Sequence, residues 1–101
     1  MKQRHFTKIV STLGPASSAP ETIKALAEAG VNVFRLNFSH GSHDAHRKNV
    51  ASIRQAEKEI GRPLAILCDM QGPKLRIGTF KDDKHIELHA GDKFRLDMSP
   101  E

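Results

Sequence analysis

The sequence has 101 residues, 38% hydrophobic and 28% charged, with 16 Lys and Arg against 12 Asp and Glu for a net charge of +4. That is enough for one small core and excludes a disordered or low-complexity chain, so one domain or part of one is expected. A single cysteine, Cys68, excludes an internal disulfide and fits a reducing compartment.

His5 to Leu13 carries Phe6, Ile9 and Val10 among β-branched neighbours and stops at Gly14-Pro15, which predicts a first strand of about six residues. Met1 to His5 leads straight into that strand rather than into the apolar segment of a signal peptide. After the loop Ala16 to Ala19, Pro20 and Glu21 mark the start of a helix running to about Ala29. Ile23, Leu26, Ala27 and Gly30 keep the three-and-four spacing of one buried stripe, with Gly30 placed to end the helix.

A second strand follows at once. Its alternation puts Phe34, Leu36 and Phe38 on one face and Val31, Val33, Arg35, Asn37 and Ser39 on the other. The second face turns polar only at its carboxyl end, beside the loop His40-Gly41-Ser42. Ser42 or Asp44 is then a cap for a second helix, whose apolar residues are Val50, Ile53, Ala56 and Ile60. Gly61 and Pro63 stop it. Leu64 to Cys68 is a near-continuous apolar run, the pattern of a strand buried on both faces, with Cys68 a small buried residue. It ends in Asp69 and Gln71 before Gly72-Pro73.

This β-α-β-α-β order with short loops predicts three parallel strands whose carboxyl ends lie on one side. Gly14, the Arg35 to Ser39 stretch and the Asp69 to Arg76 stretch converge there, which is where α/β folds bind ligands. Beyond Gly72-Pro73 the pattern changes to short segments, Lys74 to Phe80, His85 to His89 and Lys93 to Asp97, which predict antiparallel strands opening a small β domain. Three parallel strands do not close a barrel, so the chain is expected to be a piece of a larger protein.

No apolar run reaches the roughly 18 residues of a membrane span, so a soluble cytoplasmic protein is expected. The scattered basic excess suits an anionic small molecule at least as well as nucleic acid, and five aromatics, all Phe, offer little for base stacking. The alternative function is a non-catalytic basic α/β module for an anionic partner. Helix two does not supply the cationic face this needs, since Arg47, Lys48, Arg54 and Lys58 are interleaved with Glu57 and Glu59. His40, His43 and His46 at intervals of three raise a zinc site, but no cysteine accompanies them and a solvated polar face is the simpler reading.

Three blocks carry a resemblance: Thr7 to Ala16 (TKIVSTLGPA), Asn32 to Gly41 (NVFRLNFSHG) and Asp69 to Arg76 (DMQGPKLR). In this order and spacing they are similar to pyruvate kinase, the third block resembling bacterial members. The resemblance implies the first three βα units of a TIM (β/α)8 barrel over residues 1–72 and the start of an inserted small β-barrel domain over 73–101. It assigns Arg35 to the phosphoryl group of phosphoenolpyruvate, and Asn37, Ser39, Asp69 and the Met70 carbonyl to a monovalent cation. Asn37, His40 and Arg76 are assigned to the nucleotide. Lys74 stands where many K⁺-requiring members carry glutamate, and its own charge is expected to make K⁺ dispensable. The Mg²⁺ ligands and the lysine that stabilises the transferring group are expected outside this chain, so the segment alone is expected to be inactive. The whole protein is expected to be a homotetramer acting on phosphoenolpyruvate and ADP, without nucleic acid or membrane partners.

Overall fold

The computed structural model describes residues 5–98. Met1 to Arg4 and Ser99 to Glu101, the outer ends of the two expected segments, lie outside them. Three strands, β1 (Ile9–Thr12), β2 (Val31–Asn37) and β3 (Ala65–Asp69), alternate with two helices, α1 (Pro20–Ala29) and α2 (His43–Ile60). The sheet is parallel in the order β1-β2-β3. The expected α/β layout is therefore observed, with β1 shorter at four residues and Phe6 fully exposed outside it.

Each helix ends as its sequence dictates. Pro20 begins α1, and the Gly30 N–H closes it on the Leu26 and Ala27 carbonyls. Ser42, rather than Asp44, caps α2 by accepting the Ala45 N–H at 3.2 Å, satisfying a donor that the first turn leaves unpaired. Gly61 ends α2 in the left-handed conformation at φ 67°, which a side chain would disfavour. Beyond it, Glu57 Oε1 accepts the Leu64 N–H at 2.8 Å while Arg54 donates to the Leu64 carbonyl at 2.8 Å, so two side chains of α2 fix the entry to β3. Arg62 donates to the Val31 carbonyl at 2.8 Å and to the Ala27 carbonyl, tying this turn to the other α-to-β junction.

Ile23 and Ala27 of α1 and Ile53 and Ala56 of α2 pack with Leu13, Val31, Phe34, Leu36 and Leu64 into one core. Val31 corrects the expected alternation: it is buried with Phe34 and Leu36 rather than sharing the face of Arg35. The reason is a register shift between Ile9 and Val10 opposite β2. Asn32 sits at this irregularity, and its side-chain oxygen accepts the Ile9 N–H at 2.9 Å. An extra residue of this kind inverts the facing of what precedes it.

The expectation that Leu64 to Cys68 is buried on both faces is not met. Only Leu64 is fully buried and Ile66 packs on the core edge, whereas Leu67 is 43% exposed and Cys68 is exposed. Both helices contribute to the core on the Phe34 and Leu36 face, and nothing among the described residues covers the opposite one. That open face is apolar at Val10 and Leu67 and polar at its carboxyl end.

The expected antiparallel strands between Lys74 and Asp97 are also not formed. Among the described residues past Asp69 the only regular element is a 3-10 turn at Lys81–Asp83. Residues 77–81 and 94–98 approach each other across an open cleft, with Phe80 and Phe94 edge to face at 6.4 Å. They make no strand ladder. A lone two-stranded ribbon is marginal in water without a third strand or a helix to cover it, which accounts for the missing pairing.

Candidate functional site at the carboxyl edge of the sheet

Register assembles the site. Thr12 pairs with Arg35 across β1 and β2, and Asn37 pairs with Asp69 across β2 and β3. Because aligned residues of parallel strands share a face, Thr12, Arg35 and Asp69 meet on the open face of the sheet. The Arg35 Nε donates to Asp69 Oδ2 at 3.0 Å, its Nη2 donates to the same oxygen, and its Nη1 donates to Thr12 Oγ1 at 3.2 Å. A guanidinium held by three such bonds has a fixed plane, and its remaining N–H groups stay open to an anion. Both bonds to the carboxylate fall on Oδ2, leaving Oδ1 clear of the arginine.

The loop after β2 is held at several points. The Asn37 side-chain oxygen accepts the Ser39 N–H at 3.1 Å, and the Asn37 carbonyl accepts the His40 N–H at 3.2 Å. Phe38 donates its N–H to the Asp69 carbonyl at 2.9 Å, and its own carbonyl accepts from the Gln71 amide at 2.8 Å. Gln71 is thus a supporting residue that the sequence reading left without a role; its position two residues past a site carboxylate was the available signal.

The structure brings Arg35, Asn37, Ser39 and Asp69 together, with Met70 next in sequence and 68% exposed. His40 is exposed at the loop tip. Lys74 and Arg76 are exposed in the segment past Gly72, and no hydrogen bond or ion pair joins them to this cluster among the described residues.

His46 departs from expectation most. Its sequence context predicts a solvated polar face, yet it is buried at 9% exposure. Its ring stacks on Phe38 at 4.4 Å, and its Nε2 lies 2.8 Å from the His40 carbonyl. His43 is exposed on the rim of a cavity of about 400 Å³ that Phe38, His46, Arg47, Val50 and Met70 also line. Among the described residues there is no group of three or more His, Cys, Asp or Glu side chains arranged to hold a metal.

Parallel α/β sheets bind their ligands at the carboxyl ends of the strands, and here that edge presents an oriented arginine, a carboxylate and a polar loop. The family model for the pyruvate kinase barrel domain matches residues 4–101. The chain is 49% identical over 100 residues to a pyruvate kinase of Methylorubrum extorquens, covering 99% of this chain and 21% of that protein. It is 48% identical over 93 residues to pyruvate kinase II of Salmonella typhimurium, covering 92% and 19%. It is 45% identical over 94 residues to a cytosolic pyruvate kinase isozyme of Nicotiana tabacum, covering 93% and 18%. This chain belongs to the pyruvate kinase family, and it spans about a fifth of the length of the curated relatives it matches.

Proposed function

We propose that the chain is the N-terminal part of a cytoplasmic, homotetrameric pyruvate kinase, transferring the phosphoryl group of phosphoenolpyruvate to ADP to give pyruvate and ATP. The observation that carries this reading is the Arg35 guanidinium, oriented by Asp69 and Thr12 at the carboxyl edge of the sheet. Phosphoryl transfer is catalysed mainly by positioning and by cations set around spreading negative charge. Arg35 then takes the phosphoryl oxygens with the N–H groups not spent on Asp69 and Thr12.

Asn37, Ser39, Asp69 and the Met70 carbonyl offer a hard, all-oxygen donor set, which fits an alkali cation in chemistry. Arg35 takes Oδ2 of Asp69, so Oδ1 would be available to such a cation. Where such a cation is bound, it would supply positive charge beside the phosphate. Asn37, His40 and Arg76 contact the nucleotide, and Lys74 supplies charge that otherwise comes from K⁺. The resemblance assigns no Mg²⁺ ligand to these residues.

We read the sheet as the first three strands of a (β/α)8 barrel, with residues 73–101 opening the inserted β domain. The exposed apolar positions Val10 and Leu67 support this, since a closed barrel is the arrangement that covers them. Thermal unfolding of the complete protein with and without phosphoenolpyruvate tests the assignment of Arg35. The ligand is expected to raise the melting temperature of the wild type and not that of Arg35→Met. A shift retained in the variant would put the phosphate elsewhere.

A further inference from the structure

Among the described residues His46 is the one buried polar side chain, and the proposed phosphoryl chemistry does not use it. Its Nε2 faces a carbonyl oxygen, which only accepts, so Nε2 carries the proton and donates to His40. The Nδ1 is buried and without a hydrogen-bond partner among the described residues. Burying such an atom costs stability, and a leucine in its place would fill space without that cost. The burial is explained by what the other nitrogen does.

The turn Ser39-His40-Gly41 rests directly on this ring. Gly41 has φ +76°, and a Cβ there would stand 3.4 Å from Nε2 and 3.6 Å from Cε1 of His46. One end of the turn is fixed by Asn37 through the Ser39 and His40 N–H groups. The other end has the imidazole bond as its anchor, and the ring itself is clamped against Phe38. Arg35 is held independently, by strand register and by Asp69.

We propose that His46 is a positioning residue for nucleotide binding: its Nε2–H holds the His40 carbonyl and so sets the turn that presents His40 to the nucleotide. The proposal rests on the pyruvate kinase reading above. It separates the two substrates, because the turn belongs to the nucleotide side whereas Arg35 serves the phosphoryl donor.

The test is steady-state kinetics of the complete protein with His46→Leu, His46→Gln and His46→Asn, varying ADP and phosphoenolpyruvate in turn. The Gln amide nitrogen reaches the place of Nε2, and the Asn amide nitrogen reaches only that of Nδ1. His46→Leu and His46→Asn are expected to raise the KM for ADP about fivefold or more while the KM for phosphoenolpyruvate stays within about twofold, and Gln is expected to restore most of the loss. An ADP KM unchanged in the leucine variant, an equal rise in both KM values, or a Gln variant no better than Asn overturns the proposal. Failure of all three variants to fold also overturns it, by assigning His46 to the fold alone. A wild type that does not turn over these substrates removes the kinase reading and the proposal with it, whereas an active wild type with unaffected variants removes only the proposal.

Discussion

At the scale of single residues, the account turns on Arg35. A lysine at position 35 keeps the charge but not the forked donor set that joins Asp69, Thr12 and an anion at once. Arg35→Lys is expected to cost about 2 to 4 kcal/mol of transition-state stabilisation, the range for one well-placed donor, with the fold intact by circular dichroism. Turnover within about threefold of wild type would make Arg35 structural. Lys74 gives a second expectation. An ammonium about 4 Å from phosphate charge, at an effective dielectric near 20, contributes on the order of 4 kcal/mol, enough to stand in for an ion. Initial rates in KCl and in a tetramethylammonium salt of equal ionic strength are expected to be similar, with Mg²⁺ still required, and Lys74→Glu is expected to create a K⁺ requirement. A drop of roughly tenfold or more without K⁺ in the wild type would contradict this, since Lys74 would then not be supplying the charge.

The placement of Arg35 and Asn37 was legible in the sequence because a period of two sorts a strand into faces and the polar residues gather at one end of one face; that of Asp69 was legible because it ends an apolar run at a strand's carboxyl edge. His46 was not. It stands four residues before Val50 and seven before Ile53, on the stripe that forms the core face of α2. The regular spacing of His40, His43 and His46 raises a metal site, and with no cysteine beside them the simpler expectation is a solvated polar face, neither of which points to burial. A polar residue on an apolar stripe becomes readable only once its partner, here a backbone carbonyl six residues away, is in view.

At the scale of elements, the junction between α2 and β3 depends on a carboxylate. The Leu64 N–H, and then the Arg54 guanidinium, hold the Glu57 carboxyl below its ordinary value of 4.5. A carboxyl with a lowered folded pKa contributes stability above its unfolded pKa and loses it as pH falls through the folded value. Glu57→Gln is therefore expected to melt below the wild type near neutral pH, with the gap closing as the pH drops below about 4.5. A gap unchanged at lower pH would mean that the charge on Glu57 plays no part.

Element order and helix limits were readable from periodicity and end signals, and the cap of α2 was narrowed to Ser42 or Asp44. The inversion at Val31 was not, because the irregularity opposite Ile9 and Val10 arises from pairing between strands rather than from either strand's own pattern. The segment past Gly72 failed for a related reason. Lys74 to Asp97 has the composition of strands, but a strand exists only when it is paired, and residues 77–81 and 94–98 face each other without a ladder.

At the scale of the whole molecule, the sheet has one finished face and one unfinished one. Phe34 and Leu36 are covered by the two helices, while Val10 and Leu67 are exposed beside the Arg35 and Asp69 pair. The continuous apolar run of β3 that misled the burial reading is explained if the rest of a barrel covers its second face. An anion site on an open face is surrounded by water, and the donors that make phosphoryl transfer fast act strongly only where water is excluded. Release of pyruvate from phosphoenolpyruvate and ADP in the presence of Mg²⁺ is the most direct measurement, made side by side on the complete protein and on the isolated 101 residues. Turnover by the complete protein and none by the isolated chain is the expected result; a folded complete protein that releases no pyruvate, or an isolated chain that does so free of host enzyme, would contradict the kinase reading.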